Sequence, residues 1–227
     1  DRYKQVADQA LATLRQCGAD QAEVSISHDQ GFSVEARNDD VDTLQHECDT
    51  SMDITVFRNG SMANVTTTDM TAAAIKLSID KAMTIVKYTQ ADDYAGLAER
   101  SAMAFTYPEL DLYHAWDLSP SAAIELTVAC DRHMRAYDER ILPSEGVSLS
   151  TYNSLQLYAN THDFMGCYLS SQHQIVCTAV AREGDKMQTY SDYTEACHSQ
   201  QLTGSEELAQ QVAHQAVMQL GARPIKT

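Results

Sequence analysis

The sequence predicts an α+β fold of two successive helix–antiparallel meander–helix units, with sheets packed against long helices. Apolar residues recur at helical spacing at the start and end of each half, and between them lie runs with a period of two. No helix-like segment separates the successive strands, and strands in that order form antiparallel sheets. The chain has 227 residues, of which 44% are hydrophobic, so it is long enough to bury a sizeable core.

The first half begins with a helix and continues with strands. Apolar residues recur at helical spacing up to Cys17, and Gly18 is expected to end the helix in the left-handed conformation. Alternating residues then predict short strands over 22–26, 32–37 and 41–48.

A tight hairpin follows these strands. Met52–Arg58 and Ser61–Thr67 flank Asn59-Gly60, a pair that tolerates the positive φ angles of a type I′ turn. A two-residue loop fixes the register, and its apolar face needs a cover. A helix predicted from residue 69 to about residue 87 would provide that cover. The predicted partners are Arg58 with Ser61, Val56 with Ala63, and Ile54 with Val65.

A connector separates the two halves. The pattern breaks between Tyr88 and Ser119, and its aromatic residues indicate that this segment packs on a neighbouring element. We therefore expect an N-terminal domain with its connector over 1–115 and a central domain over 116–227. Ser119-Pro120 is a typical N-cap and first-turn pair for the helix that opens the second half.

The second half repeats the plan of the first. Thr203 and Glu206 are spaced as a capping box before the last helix, and Gly221 is expected to end that helix. A further strand is expected to begin near Ile225, so we predict that a C-terminal domain is absent from this chain. The strands between the helices are predicted at 146–151, 154–160, 166–170, 174–181 and 187–193.

Charge and composition exclude several classes of function. Thirty-two acidic and sixteen basic residues give a net charge of −16, which opposes binding to phosphate backbones and to anionic membranes. No run of 18 apolar residues predicts a membrane span. Six cysteines without a C-x-x-C pair are typical of reduced thiols, so we expect a cytoplasmic protein.

A zinc-peptidase helix would need two histidines on one face together with a glutamate. His46-Glu47 has the first two letters of H-E-x-x-H, but Thr50 and Ser51 stand where a second histidine could fall. The segment also has the pattern of a strand. We therefore expect no metal ligand and no catalytic residue in this chain.

The densest polar group in the sequence is formed by His162, Asp163, Cys167 and His173. A Cys/His pair can activate a thiolate, so a cysteine hydrolase that uses Cys167 and His173 is one hypothesis. A buried thiol in a strand also acts as a small hydrophobic residue, which is the alternative interpretation.

Several strings resemble one known family. Asp92-Asp93-Tyr94-Ala95-Gly96-Leu97-Ala98 is similar to its D-x-Y-A-G-L-A segment, and residues 110–118 are similar to its L-D-L-Y-H-P-W-D-L segment. The family carries asparagine before an S-E-G string, whereas Pro143 precedes that string here.

The last third carries the most extended match, to the pattern N-S-x-G-F-x-G-x-x-x-S-S-x-H. Thr161 replaces its serine and Asp163 replaces its first glycine. The matching signature residues are Asn160, Phe164, Gly166, Ser170, Ser171 and His173.

These strings resemble the TldD/PmbA family, whose PmbA members are also called TldE and are sometimes described as modulators of DNA gyrase. The resemblance implies a heterodimeric cytosolic metallopeptidase that trims unfolded or leader peptides, including a microcin precursor and an antitoxin. The zinc motif H-E-x-x-x-H belongs to the TldD partner, so the resemblance implies no cofactor in this chain.

The implied role is a non-catalytic subunit portion that presents peptide to the zinc of a TldD-like partner. The resemblance assigns no role to the signature residues. Besides the cysteine hydrolase, an interaction module that acts on gyrase or an antitoxin is an open alternative, and the chain could also associate with itself.

Overall fold

The computed structural model describes residues 2–222, apart from the side chain of Ser144. The fold is α+β, as predicted, with sheet and helices in each half of the chain. Short 3₁₀ turns lie at Arg100–Ala102 and Ser199–Gln201. In chain order the elements are α1 (Arg2–Gln16), β1 (Gln21–Arg37), β2 (Asp40–Arg58), β3 (Ser61–Thr67), α2 (Ala72–Ile85), α3 (Pro120–Ala136), β4 (Ile141–Asn160), β5 (Met165–Glu183), β6 (Lys186–Ala196) and α4 (Ser205–Gln219).

The six strands form one sheet in the order β3-β2-β1-β4-β5-β6. The predicted Asn59-Gly60 hairpin is confirmed, because Ile54 pairs with Val65 and the antiparallel register continues to the turn. Asn59 and Gly60 both have positive φ angles, 51° and 75°, as a type I′ turn requires.

The strands are longer than predicted. The expected strands 22–26 and 32–37 are parts of one strand, β1, which runs through Gly31. A Cβ atom on Gly31 would lie 2.1 Å from the carbonyl oxygen of Thr151, so this glycine permits close approach of β1 and β4 rather than a break. The strand breaks predicted within β2, β4 and β5 were wrong in the same way.

Residues group into two compact units that share the long strands. Unit 1 comprises residues 1–29, 48–111 and 154–169. Its core joins one face of the strands to α1 and α2 through residues such as Leu14, Ile54 and Ile79. Because strand side chains alternate, the opposite face of these strands carries the polar partners.

Unit 2 comprises residues 30–47, 112–153 and 170–227. Its core joins β4 and β5 to α3 and α4 through residues such as Leu149, Met134 and Val212. Two fully buried thiols lie there, with 3.5 Å between the Sγ atoms of Cys130 and Cys177. That contact and burial raise the pKa of Cys177 far above its usual range, so this thiol stays protonated.

Two of the predicted helix boundaries are confirmed and one is wrong. Gly18 follows α1 with a φ of +84°, and the Ser119 hydroxyl caps α3. The capping box is wrong, because the N-cap of α4 is Gly204, without a side-chain cap. The Thr203 amide instead donates to the hydroxyl of Thr194. The strand expected near Ile225 lies outside the described residues, and the domain boundary at 115/116 stays a prediction.

Candidate functional site

The signature residues divide into two groups, one in each unit. Asn160, Phe164 and Gly166 lie in unit 1, at the hairpin between β4 and β5. Ser170, Ser171 and His173 lie in unit 2, along β5. We call residues 160–164 the loop anchor, and Ser171 together with His173 the strand anchor, because each group holds a part of the connector in place.

The loop anchor is a closed hairpin turn. The Asn160 amide donates to the carbonyl of Phe164 at 3.0 Å, and the Asn160 side-chain oxygen accepts from the amide of His162 at 3.0 Å. Asp163 has a φ of +61°, in the left-handed region where glycine stands in the family pattern. Aspartate is one of the residues that tolerates this region, so the replacement leaves the turn intact.

Thr161 and Asp163 fix the loop anchor to the start of unit 1. The Thr161 amide donates to the carbonyl of Ala22 at 2.9 Å, and its hydroxyl accepts from the Ala22 amide at 3.0 Å. Serine in the family pattern would offer the same hydroxyl. The Asp163 carboxylate pairs with Arg15 at 3.1 Å and with Arg100 at 3.2 Å, and its side chain is 71% exposed.

The loop anchor also contacts the connector. The Leu97 amide donates to the side-chain oxygen of Gln21 at 2.8 Å. The same Gln21 side chain lies 3.4 Å from Nε2 of His162, whose Nδ1 lies 3.1 Å from the carbonyl of Ala98. The Arg100 guanidinium donates to the carbonyl of His162. Residues 97–100 are therefore held by direct hydrogen bonds.

Aromatic rings complete this region. The Phe164 ring lies 5.5 Å from that of Phe105 on the connector and 5.8 Å from that of Tyr158. A Cβ atom on Gly166 would lie 3.4 Å from the Phe164 ring, which is an ordinary van der Waals contact, so packing does not explain the glycine. Tyr158 donates to Glu23 at 2.7 Å, and burial raises the pKa of Tyr158 to about 12.

In the strand anchor, Ser171 holds the connector by its main chain and its hydroxyl. Its amide donates to the carbonyl of Leu112 at 2.9 Å. Its hydroxyl accepts from the amide of His114 at 2.8 Å and donates to the carbonyl of Cys197 at 2.7 Å. Ser171 is 2% exposed, so these bonds have no competition from solvent.

The second residue of the strand anchor is His173, which is completely buried. Its Nε2 lies 2.9 Å from the carbonyl of His114, so this nitrogen carries the proton and donates. Its Nδ1 lies 2.8 Å from the hydroxyl of Thr151, which donates when the ring is neutral. The Trp116 indole contacts the edge of the ring at 5.4 Å between centroids. One ring nitrogen thus bonds to the connector and the other to β4.

The structure does not bring Cys167 and His173 together. They lie six residues apart on the extended strand β5, and a strand advances about 3.3 Å per residue, which separates them by roughly 20 Å. Cys167 packs against the apolar core of unit 1, as a hydrophobic side chain does.

The partial zinc motif His46-Glu47 is not arranged as a pair of metal ligands. His46 and Glu47 are neighbours on β2, where adjacent side chains point to opposite faces, and the His46 ring packs against Phe32. No group of three or more His, Cys, Asp or Glu side chains within residues 2–222 is arranged to hold a metal ion.

None of the helices within residues 2–222 is long and apolar enough to cross a membrane.

Comparison of the sequence with family models identifies the family of this chain. Residues 113–220 match the "PmbA/TldA metallopeptidase central domain", and residues 22–86 match "PmbA/TldA metallopeptidase domain 1". The chain therefore belongs to the PmbA/TldE family.

Relatives and solved structures support this assignment. The Metalloprotease PmbA homolog of Haemophilus influenzae is 30% identical over 99% of this chain and 49% of its own length. A Bacteroides thetaiotaomicron structure named for modulation of DNA gyrase has the same fold, with a TM-score of 0.91 and 21% identity over 100% of this chain and 52% of its own. TldE from Thermococcus kodakarensis has a TM-score of 0.77, with 13% identity over 95% of this chain and 47% of its own. The chain thus spans about half the length of these proteins.

Sequence reasoning named the signature residues but missed several residues that form hydrogen bonds with them, with the loop anchor or with the connector. Gln21, Thr151 and Arg100 carried no motif, since each acts through a partner distant in the chain. One signal was present. The 110–118 string contains His114 and Trp116, and these are the connector residues that the strand anchor holds.

Proposed function

We propose that this chain is a non-catalytic, PmbA/TldE-like subunit portion of a cytosolic TldD/TldE-type metallopeptidase complex that degrades or trims unfolded and leader peptides. In that role it forms one wall of a chamber that presents peptide, while a TldD-like partner provides the zinc ion. Microcin maturation and antitoxin turnover are the processes that such a complex would serve.

One observation carries this proposal. The most distinctive residues of the chain are committed to architecture: His173 is fully buried with both ring nitrogens bonded within the protein, and the Ser171 hydroxyl is bonded to two main-chain groups. A catalytic nucleophile or base must reach substrate, and neither side chain can do so in this arrangement. Together with the family's proteolytic name, this arrangement supports a structural rather than a catalytic contribution by this chain to proteolysis.

The edges of the sheet are the surfaces that we assign to peptide or partner. β3 and β6 each pair with a strand on one side only. Unpaired main-chain groups at such an edge can accept an added strand from another polypeptide. A scaffold subunit could in this way align an extended peptide without any chemistry of its own.

The test is to combine this protein with a TldD-like partner, and to measure cleavage of an unfolded peptide and zinc per complex. We expect no cleavage and no stoichiometric zinc for this protein alone, and cleavage for the mixture. Substituting the zinc motif of the partner should abolish cleavage, whereas His46→Ala with Glu47→Ala in this chain should leave it unchanged. Cleavage by this protein alone with bound zinc would refute the proposal.

A further inference from the structure

Of the two sheet edges, β6 is the longer. β6 has 11 residues, and its register with β5 runs without interruption from Lys186 opposite Glu183 to Ala196 opposite His173. No β-bulge interrupts the strand and it contains no proline. Edge strands are usually protected by short length, proline, bulges or several lysines, and β6 has only Lys186. Within residues 2–222, no strand lies on its outer side.

The edge at β3 differs in its length and in the segment that lies beside it. β3 has 7 residues, and the segment after α2 already contacts its start. The Ser61 hydroxyl donates to the carbonyl of Thr89 at 2.8 Å, and the Asp92 amide donates to the carbonyl of Gly60 at 2.8 Å. β6 is therefore the edge that remains open to another strand.

The side chains of β6 indicate the character of the added strand. Met187 and Tyr193 are 55% and 61% exposed and lie on the same face, because their numbers differ by an even count. A strand paired at this edge would place apolar side chains beside them at alternate positions.

Charge favours a basic partner. Asp185, Asp192 and Glu195 outnumber the one basic residue, Lys186, along this hairpin arm. Asp192 accepts hydrogen bonds from the main-chain amide of Tyr193 and the side-chain amide of Gln211, and Glu195 accepts one from the side-chain amide of Gln174. These donors are neutral, so they do not compensate the two negative charges. A second copy of this chain would also carry a net charge of −16, and like charges oppose such pairing.

From these observations we infer that the outer edge of β6 binds an extended basic segment of an unfolded polypeptide as an added strand. Main-chain hydrogen bonds would hold the peptide, lysine or arginine side chains on one face of the added strand would lie beside Asp192, and apolar residues on its other face would contact Met187 and Tyr193. This inference rests on the proposed function and assigns the peptide to one edge of the sheet.

The test uses a fluorescein-labelled nine-residue peptide of alternating lysine and valine, followed by fluorescence anisotropy with the purified protein. The same peptide N-methylated at every residue keeps its charge but loses its main-chain donors. A third peptide has glutamate in place of lysine. We expect binding of the first peptide only, at least tenfold tighter than the other two, and weaker at high salt.

Two matched variants locate the site. Thr189→Lys with Tyr193→Lys adds two charges to β6, and Asn64→Lys with Thr66→Lys adds the same two charges to β3. We expect the β6 variant to weaken binding at least tenfold and the β3 variant to weaken it less than threefold. Equal effects of the two variants, undiminished binding of the N-methylated peptide, or no binding to the unaltered protein would overturn the inference.

Sedimentation velocity tests whether a second copy of this chain occupies the β6 edge. A dimer that is lost in the β6 variant, without peptide binding, would assign the edge to a second copy and overturn the basic-peptide assignment. Zinc-dependent cleavage by the mixture with the partner is measured separately. A negative result at β6 therefore does not decide the proposed function, which the cleavage assay tests independently.

Discussion

The two anchors hold the connector by different physical means. The loop anchor in unit 1 includes an exposed ionic group, the 71% exposed carboxylate of Asp163, which pairs with two arginines. The strand anchor in unit 2 relies on neutral hydrogen bonds made by the buried residues Ser171 and His173. Exposed ion pairs contribute little because water and salt screen them, whereas a buried polar group that loses its partner is costly. The comparison teaches that two groups of residues that both match a family pattern can contribute unequally to the free energy of folding.

The largest expected effect is that of His173→Phe. The variant leaves the Thr151 hydroxyl and the His114 carbonyl without their bonds, and each buried group left unsatisfied costs about 1–3 kcal/mol. We expect a loss of about 2–4 kcal/mol in the free energy of unfolding, measured by urea denaturation.

The matched control is His162→Phe in the loop anchor, where the replaced ring is partly exposed. We expect that control to cost less than about 1 kcal/mol. Equal losses in the two variants would break the comparison between the anchors.

The next effect is that of Ser171→Ala. Removing the hydroxyl leaves the Cys197 carbonyl and the His114 amide without this partner, so we expect a loss of about 1–3 kcal/mol by urea denaturation. Ser170→Ala lies on the opposite face of β5 and should stay within about 0.5 kcal/mol. The prediction fails if the two alanine variants unfold at the same urea concentration.

A smaller effect is expected for Asp163→Asn. Asparagine tolerates the left-handed conformation but loses both ion pairs, each of which contributes about 0–1 kcal/mol at an exposed site. We therefore expect a loss of at most about 1 kcal/mol. That loss should shrink when the urea series is repeated at high salt, and a loss that salt does not reduce would show that the loop depends on more than charge.

The smallest effect is expected for Asp138, which tests whether exposure or position in unit 2 determines how much a polar group contributes to stability. Asp138 lies in unit 2 but pairs with Arg140 near the surface, and hydrogen bonds from Arg140 lower the pKa of Asp138 from 3.8 to about 2. A lowered carboxyl pKa stabilises the fold fully above about pH 4 and loses that contribution as the pH falls towards 2.

Asp138→Asn should therefore destabilise the protein slightly at pH 7, with a difference from the unaltered chain that disappears by about pH 2. Thermal unfolding across this pH range measures the difference. A difference that grows on acidification would have the wrong sign.

Local signals in the sequence predicted local structure. Asn59-Gly60 fixed the hairpin register because two positive φ angles leave few alternatives, and Ser119-Pro120 marked the start of α3 correctly. The signature residues were named from the family resemblance, which assigned them no role.

Features that depend on distant partners could not be predicted. Gly31 has the sequence pattern of a strand break, and only the structure shows that it allows close approach of β4. Thr203 has the pattern of an N-cap, and only the structure shows that its amide donates to the Thr194 hydroxyl. Gln21 and Thr151 carry ordinary strand patterns, and only the folded chain places them against His162 and His173.

The central claim is that the two anchors hold the connector in place, and hydrogen exchange of two amides tests it most directly. The Leu97 amide is bonded to Gln21, and the His114 amide is bonded to Ser171. In Ser171→Ala, under conditions that keep the protein folded, we expect the His114 amide to exchange at least tenfold faster while the Leu97 amide is unchanged. Unchanged exchange at His114 would contradict the account.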